Sequence, residues 1–158
     1  MALTVRRATL ADLPALLALE RDFPGDRLVR SSFRHLLTRA HAGIWVCLAA
    51  DALVGNAIVL FRKHSRRARL YSLIVTPSAR GRGIARALVE SVETAVAERG
   101  CNRMYLEVRD DNAVAVRLYQ RLGYRFVRRI ENFYEDGRDA LQLERPLGES
   151  GKSPDLAA

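Results

Sequence analysis

Lysine is nearly missing from a chain that is otherwise basic. Of 26 Lys and Arg residues only Lys63 and Lys152 are lysine, against 18 Asp and Glu, for a net charge of +8. The arginines are scattered from Arg6 to Arg145 with no basic block. Aromatic residues are also scarce, at 7%, and no segment interleaves them with cations as a single-strand binder would. An Arg-rich nucleic-acid-binding module is therefore disfavoured, although the charge leaves room for a polyanionic small molecule. Cysteine is limited to Cys47 and Cys101, neither in a CxxC pair, which excludes a disulfide framework. Free thiols in a reducing cytoplasm are the expectation. The three histidines, His35, His41 and His64, lack HExxH-type spacing, so no metal is expected. No apolar run approaches the ~18 residues of a membrane span, and the first residues lack the apolar stretch of a secretion signal, so neither a membrane role nor export is expected.

What is present is ordinary globular material. The chain has 158 residues, 49% hydrophobic and 28% charged, enough for one domain with a sizeable core. There are no internal repeats. A single domain is expected over 1–147, followed by a flexible tail over 148–158. Leu3–Arg7 reads as a strand, and Thr9 with Asp12 can cap a helix from Leu10 to about Arg21. A loop at Phe23–Asp26 precedes a second helix, about Ser32–Arg39, capped by Ser31. The period then changes: Ile44–Ala49 and Leu53–Phe61 form a hairpin turning at Asp51 and Ala52, and Leu70–Val75 follows the basic loop Arg62–Arg67. Ile84, Leu88, Val92 and Val96 recur every four residues, which predicts an amphipathic helix from Gly83 to Glu98, ended by Gly100. Tyr105–Val108 is a strand and Ala113–Leu122 a helix, and strands at about Arg125–Phe133 and Ala140–Leu147 close the domain. The order β-α-α-β-β-β-α-β-α-β-β is α/β. Its β-α-β unit over 70–108 must be a right-handed parallel crossover, so a mixed sheet with helices on both faces is expected.

The informative stretch runs from Leu73 to Arg86. An apolar strand passes through Gly81 and Gly83 into the start of a helix whose first N–H groups have no internal partner. With Arg80, Arg82 and Arg86 this makes a phosphate cradle. A tight turn bearing solvated arginines is the plain alternative. The Gly-Lys-Ser/Thr of a P-loop is absent, and Gly81-Arg82-Gly83 lacks the third glycine of a dinucleotide fold.

The pattern that fits is Arg/Gln-x-x-Gly-x-Gly/Ala, here Arg80-Gly81-Arg82-Gly83-Ile84-Ala85. In this motif and in its element order over 3–147 the chain resembles the GCN5-related N-acetyltransferases (GNAT). The resemblance implies that Arg80 to Arg86 hold the pyrophosphate of acetyl-coenzyme A. It also implies that the main chain of Leu73, Ile74 and Val75 pairs with the pantetheine arm between strands splayed at their C-terminal ends. A second block, from Leu106 and Glu107 through Asn112 and Tyr119 to Gly123 and Tyr124, is similar to ribosomal-protein-alanine and related N-terminal acetyltransferases. By that likeness Tyr119 is the acid that protonates the leaving thiolate, and Asn112 binds the cofactor. An aromatic pair, here Phe133 and Tyr134 in the last hairpin, clamps the incoming peptide, with Phe133 in place of the usual first tyrosine.

The attacking amine must lose a proton. An α-amine with pKa about 7.7–8.0 needs roughly one unit of help at neutral pH, whereas a lysine near 10.4 needs about three. A lone glutamate, Glu107, suits the easier task. Each residue also has a structural reading: Glu107 as a surface carboxylate, Tyr119 as a core aromatic, Asn112 as a helix cap, Phe133 and Tyr134 as hairpin aromatics. The function these residues point to is an acetyl-coenzyme A-dependent N-acetyltransferase of a protein or peptide N-terminus, as a monomer or homodimer. The rivals are a small-amine acetyltransferase acting on an amino acid, polyamine or aminoglycoside, and a non-catalytic acetyl-coenzyme A sensor.

Overall fold

The computed structural model describes residues 2–22, 30–39 and 41–148. The loop expected at Phe23–Asp26, and the tail beyond Gly148, lie outside the described residues.

Strands β1 (Leu3–Arg7), β2 (Ala42–Ala49) and β3 (Ala52–Phe61) run antiparallel, and β3 pairs antiparallel with β4 (Arg67–Val75). The helix α3 (Ile84–Glu98) then carries the chain to β5 (Arg103–Arg109), parallel to β4. After α4 (Ala113–Arg121), β6 (Arg125–Ile130) and β7 (Ala140–Pro146) complete a seven-stranded sheet in the order β1-β2-β3-β4-β5-β7-β6. The helices α1 (Leu13–Glu20) and α2 (Arg30–Thr38) precede β2. The mixed sheet and its crossover are as the sequence predicts.

Strand alternation divides the core into two layers. Ile44, Val46 and Ile58 point to one face, where Leu13, Leu16 and Phe33 of α1 and α2 cover them. Trp45, Cys47, Ala57 and Val59 point to the other, against Ile84, Leu88, Val89, Val92 and Val96 of α3. Those five α3 side chains are all buried, each contributing up to about 1.5–3 kcal/mol. On the same helix the buried Glu93 accepts from the Tyr124 hydroxyl at 2.8 Å and from Arg145 Nη1 at 2.9 and 3.0 Å. Burial pushes its carboxyl up, and these two partners oppose the shift. The contacts tie α3 to β7.

Several boundaries differ from the sequence expectations. Asp12 accepts the Thr9 N–H at 2.7 Å and an Arg6 guanidinium N–H at 2.8 Å, and Leu10–Asp12 winds into a 3-10 turn, so the α-helix begins at Leu13. The second helix starts at Arg30, ahead of the expected Ser31 cap. The β2–β3 turn lies at Ala50 and Asp51, both with positive φ (49° and 70°), a two-residue turn whose twist matches the strands. Ala52 therefore already pairs with Ala49. β4 begins at Arg67, not Leu70. β6 stops at Ile130, and Asn132, with φ 52°, turns the chain out of the ladder, so Phe133 lies in a turn.

Gly55 went unnoticed in the sequence, yet α3 rests on it. A Cβ there would lie 3.0 Å from the Ile74 carbonyl oxygen, 3.1 Å from Leu88 Cδ1 and 3.2 Å from Ile84 Cγ2. Gly55→Val is expected to cost about 1–3 kcal/mol of stability through overpacking, read as a lower urea midpoint at unchanged slope. An unaltered midpoint would show that α3 does not need this close approach.

Candidate active site

Parallel strands joined by a helix normally stay paired along their length. Here β4 and β5 pair over three rungs only, Arg67 with Arg103, Ala68 with Met104 and Arg69 with Tyr105. Just beyond, β4 carries a bulge: Val59 faces Leu70 and Ile58 faces Ser72, leaving Tyr71 extra. A bulge bends and twists its strand, and from this point the two strands separate. Leu73, Ile74 and Val75 pair with Ala57, Asn56 and Gly55 on one side, while their other edge faces the opening toward β5. An unpaired edge with its N–H and C=O groups exposed is what an extended amide-bearing ligand can use.

At the end of β4 the chain makes a 3-10 turn, Pro77–Ala79, and enters α3 through Gly81 (φ 82°) and Gly83 (φ 76°). A Cβ built on either glycine meets no atom within 4 Å, so left-handed backbone rather than crowding requires glycine, and the space in front is open. The first helical bond runs from Ala87 N–H to the Gly83 carbonyl at 3.0 Å. The amides of Ile84, Ala85 and Arg86 therefore have no helical acceptor. Arg80, Arg82 and Arg86 surround them on exposed positions, Arg86 paired with Glu90 at 3.2 Å. Such a cradle fits a diphosphate. Ile84 can serve it through its amide alone, because its side chain is core. This loop and this opening are where the resemblance puts acetyl-coenzyme A.

The two candidate catalytic groups lie on opposite faces of the sheet. On β5, Met104, Leu106 and Val108 point into the α3 layer. Glu107 consequently points to the α1–α2 face, where Arg69 forms an ion pair with it and Gln142 Nε2 donates to its Oε2 at 3.2 Å. Its side chain is only 6% exposed, which answers the surface-carboxylate alternative. Glu107 lines a cavity of about 370 Å³ together with Glu20, Arg69, Tyr71, Phe133 and Tyr134. Tyr119, on α4, packs against the α3-side core, its ring 5.8 Å from that of Tyr124 at 71°. Burial above all, then the nearby Tyr134 phenol, push its hydroxyl far above the usual phenol range, so it holds its proton at neutral pH. The Tyr134 hydroxyl is itself raised, first by burial and then by Glu107. Tyr134 is thus in electrostatic reach of both candidates.

Other expectations turn out differently or in more detail. Asn112 is a helix cap, its Oδ1 accepting the Ala115 N–H at 3.1 Å. Phe133 and Tyr134 stand edge to face at 4.9 Å, held by a turn in which Arg109 bridges Asp136 and lies 5.0 Å over the Tyr134 ring. Arg69, Gln142 and Glu20 were missed, for their partners lie far away in the chain and no local pattern marks them. Asn56 was missed too. Fully buried beside Ile74, it has no hydrogen-bond partner among the described residues for either side-chain atom, a cost on the order of 1–3 kcal/mol beside the open strand. Among the described residues no cluster of ligands could hold a metal.

The sequence model of the acetyltransferase (GNAT) family matches residues 12–124. A streptothricin acetyltransferase from Streptomyces lavendulae is 31% identical over 112 residues, 68% of this chain and 59% of that protein. An N-alpha-acetyltransferase from Saccharolobus solfataricus is 35% identical over 83 residues, 52% of this chain and 50% of that one. The chain thus spans about half the length of the curated relatives it matches. Among solved structures, the ribosomal-protein-S18-alanine N-acetyltransferase from Escherichia coli superposes with a TM-score of 0.83 at 25% identity, covering 96% of this chain and 97% of that one.

Gly83→Glu places a charged side chain in the open space before the α3 amides. Titration calorimetry is expected to show coenzyme A affinity reduced at least about tenfold, a loss of ~1.4 kcal/mol or more. Retained affinity would remove the loop from the binding site.

Proposed function

The chain belongs to the acetyltransferase (GNAT) family, whose members move an acetyl group to an amine, and from that premise we propose that it acetylates the N-terminal α-amine of a protein or peptide. The observation that carries this reading is the placement of Glu107 beside Phe133 and Tyr134 in one cavity, on the sheet face opposite Tyr119. The amides of Ile84, Ala85 and Arg86 with the flanking arginines would hold the diphosphate of acetyl-coenzyme A, and the edge of Leu73–Val75 its pantetheine arm. Bound there, the cofactor supplies an activated thioester.

The remaining chemistry falls to side chains. Glu107, fixed by Arg69 and Gln142, takes a proton from the ammonium group, directly or across one water. The free amine then forms the N–C bond as the C–S bond breaks. Tyr119 donates its proton to the departing sulfur, for which a hydroxyl that stays protonated is suited, and the resulting phenolate recovers a proton from the newly acylated nitrogen, leaving a neutral amide. Direct attack is favoured over an acyl-enzyme because Cys47 and Cys101 are buried and burial pushes both thiols up, away from thiolate. The same free thiols favour a reducing cytoplasm as its location. Asn112 can still offer its amide nitrogen to the cofactor while its oxygen caps α4.

A small-amine acceptor is the second reading, supported by the relative named for streptothricin. Assay of peptides with free and with blocked N-termini beside a panel of polyamines, amino acids and aminoglycosides separates the two. Turnover of free N-termini with none of blocked ones is expected, and turnover confined to small amines would refute the peptide reading. Tyr119→Phe is expected to lower kcat about a hundredfold while acetyl-coenzyme A affinity stays within about twofold. Glu107→Gln is expected to lower kcat about a hundredfold with acetyl-coenzyme A affinity within about twofold. A protein that binds acetyl-coenzyme A and is indifferent to both changes would be a sensor.

A further inference from the structure

A cavity of about 1090 Å³ lies beside the candidate active site, not in it. It is walled by the β3–β4 turn, the end of α3 and the α2 side of the sheet, and it contains Arg62, Lys63, Arg66, Arg67, Arg69 and Arg99. None of its described lining residues is a carboxylate. Glu144 and Glu107 neutralise Arg67 and Arg69 from outside it. Arg66 donates to the Gly100 carbonyl at 3.3 Å and Arg99 lies 3.8 Å over the Phe61 ring. With Arg62 and Lys63 this is a cationic groove assembled from residues far apart in sequence.

Arg69 lines both this groove and the Glu107 cavity, so the two adjoin at that side chain. Their charges are opposed: Glu20, Glu107 and Glu135 line the inner cavity, and the cations line the outer groove. On β5, Glu107, Tyr105 and Arg103 share one face, at about 6.6 Å per two residues. The Tyr105 rung is therefore roughly 7 Å, and the Arg103 rung roughly 13 Å, from the Glu107 rung. An extended acceptor with its amine at Glu107 reaches the groove with its third residue and leaves it near its sixth.

We propose that the groove selects acceptor polypeptides carrying acidic residues at about positions three to six behind a free N-terminus. This rests on the α-amine reading above and adds a specificity that the catalytic groups do not supply. The ammonium end is drawn to the inner carboxylates and the acidic segment to the outer cations, which fixes the direction in which the peptide enters. Arginine suits the task, because its planar fork pairs with carboxylates in two bonds and stays charged.

The test uses the full chain, acetyl-coenzyme A and three ten-residue peptides with free N-terminal alanine, bearing Glu, Gln or Lys at positions three to six. The expected order of kcat/KM is Glu above Gln above Lys, with about tenfold between the first two at low salt and little difference at 0.5 M salt, on the order set by several exposed pairs and their screening. Replacing Arg62, Lys63 and Arg66 together by Gln is expected to bring the Glu-to-Gln ratio toward one. Equal turnover of all three peptides by the unaltered protein would overturn the selectivity while leaving the α-amine reading intact. Turnover of small amines with none of any peptide would overturn both. Salt-sensitive binding of a twelve-nucleotide RNA, lost in the triple variant and joined to indifference among the peptides, would overturn the proposal by assigning the groove to nucleic acid.

Discussion

The separation of β4 from β5 is the constraint on which everything else in this molecule depends. A continuous parallel sheet would satisfy the backbone groups of Leu73, Ile74 and Val75 internally and leave no passage between the faces. The extra residue at Tyr71 ends the pairing after Arg69 and Tyr105. One edge is thereby left with unmet hydrogen-bonding capacity, a cost that a ligand with amide groups can offset. The same divergence opens the sheet between the face that carries Glu107 and the face that carries Tyr119.

Rigid surroundings hold that opening. Five aliphatic side chains of α3 fix the helix on the sheet, and Gly55 brings its first turn close to β3. The Glu93–Tyr124–Arg145 contacts fasten its middle to β7 and to the residue that packs edge-on against Tyr119. The diphosphate cradle and the candidate acid are thus positioned by one network. On the other face, Arg69 and Gln142 fix Glu107, while Arg109 and Asp136 fix the turn that presents Phe133 and Tyr134. Charge follows this division, with Glu20, Glu107 and Glu135 lining the inner cavity and cations lining the groove beside it.

Much of the frame was legible because its signals are local. The four-residue spacing from Ile84 to Val96 is a property of one helix, and Gly81 and Gly83 mark backbone that other residues adopt at a cost. The errors were local as well. The first helix was read through a 3-10 turn because Asp12, bound by Thr9 and Arg6, tightens the chain in a way composition does not show. Phe133 was placed in a strand because its apolar character outweighed the left-handed Asn132 before it. Asn112, by resemblance a cofactor ligand, also caps α4 through its oxygen, as the residue type at a helix start allows.

Sequence alone determined the order of elements, the two-faced core and the loop that opens α3, since each follows from periodicity or backbone freedom within a few residues. Only tertiary structure decided what meets across the sheet. The Glu107 partners Arg69 and Gln142 stand 38 and 35 positions away along the chain, and no helical or strand period links them. Scattered arginines likewise looked featureless until the β3–β4 turn and the end of α3 converged at one edge of the sheet. Coulombic and hydrogen-bonded contacts depend on distance in space, and the chain sets that distance only when it folds.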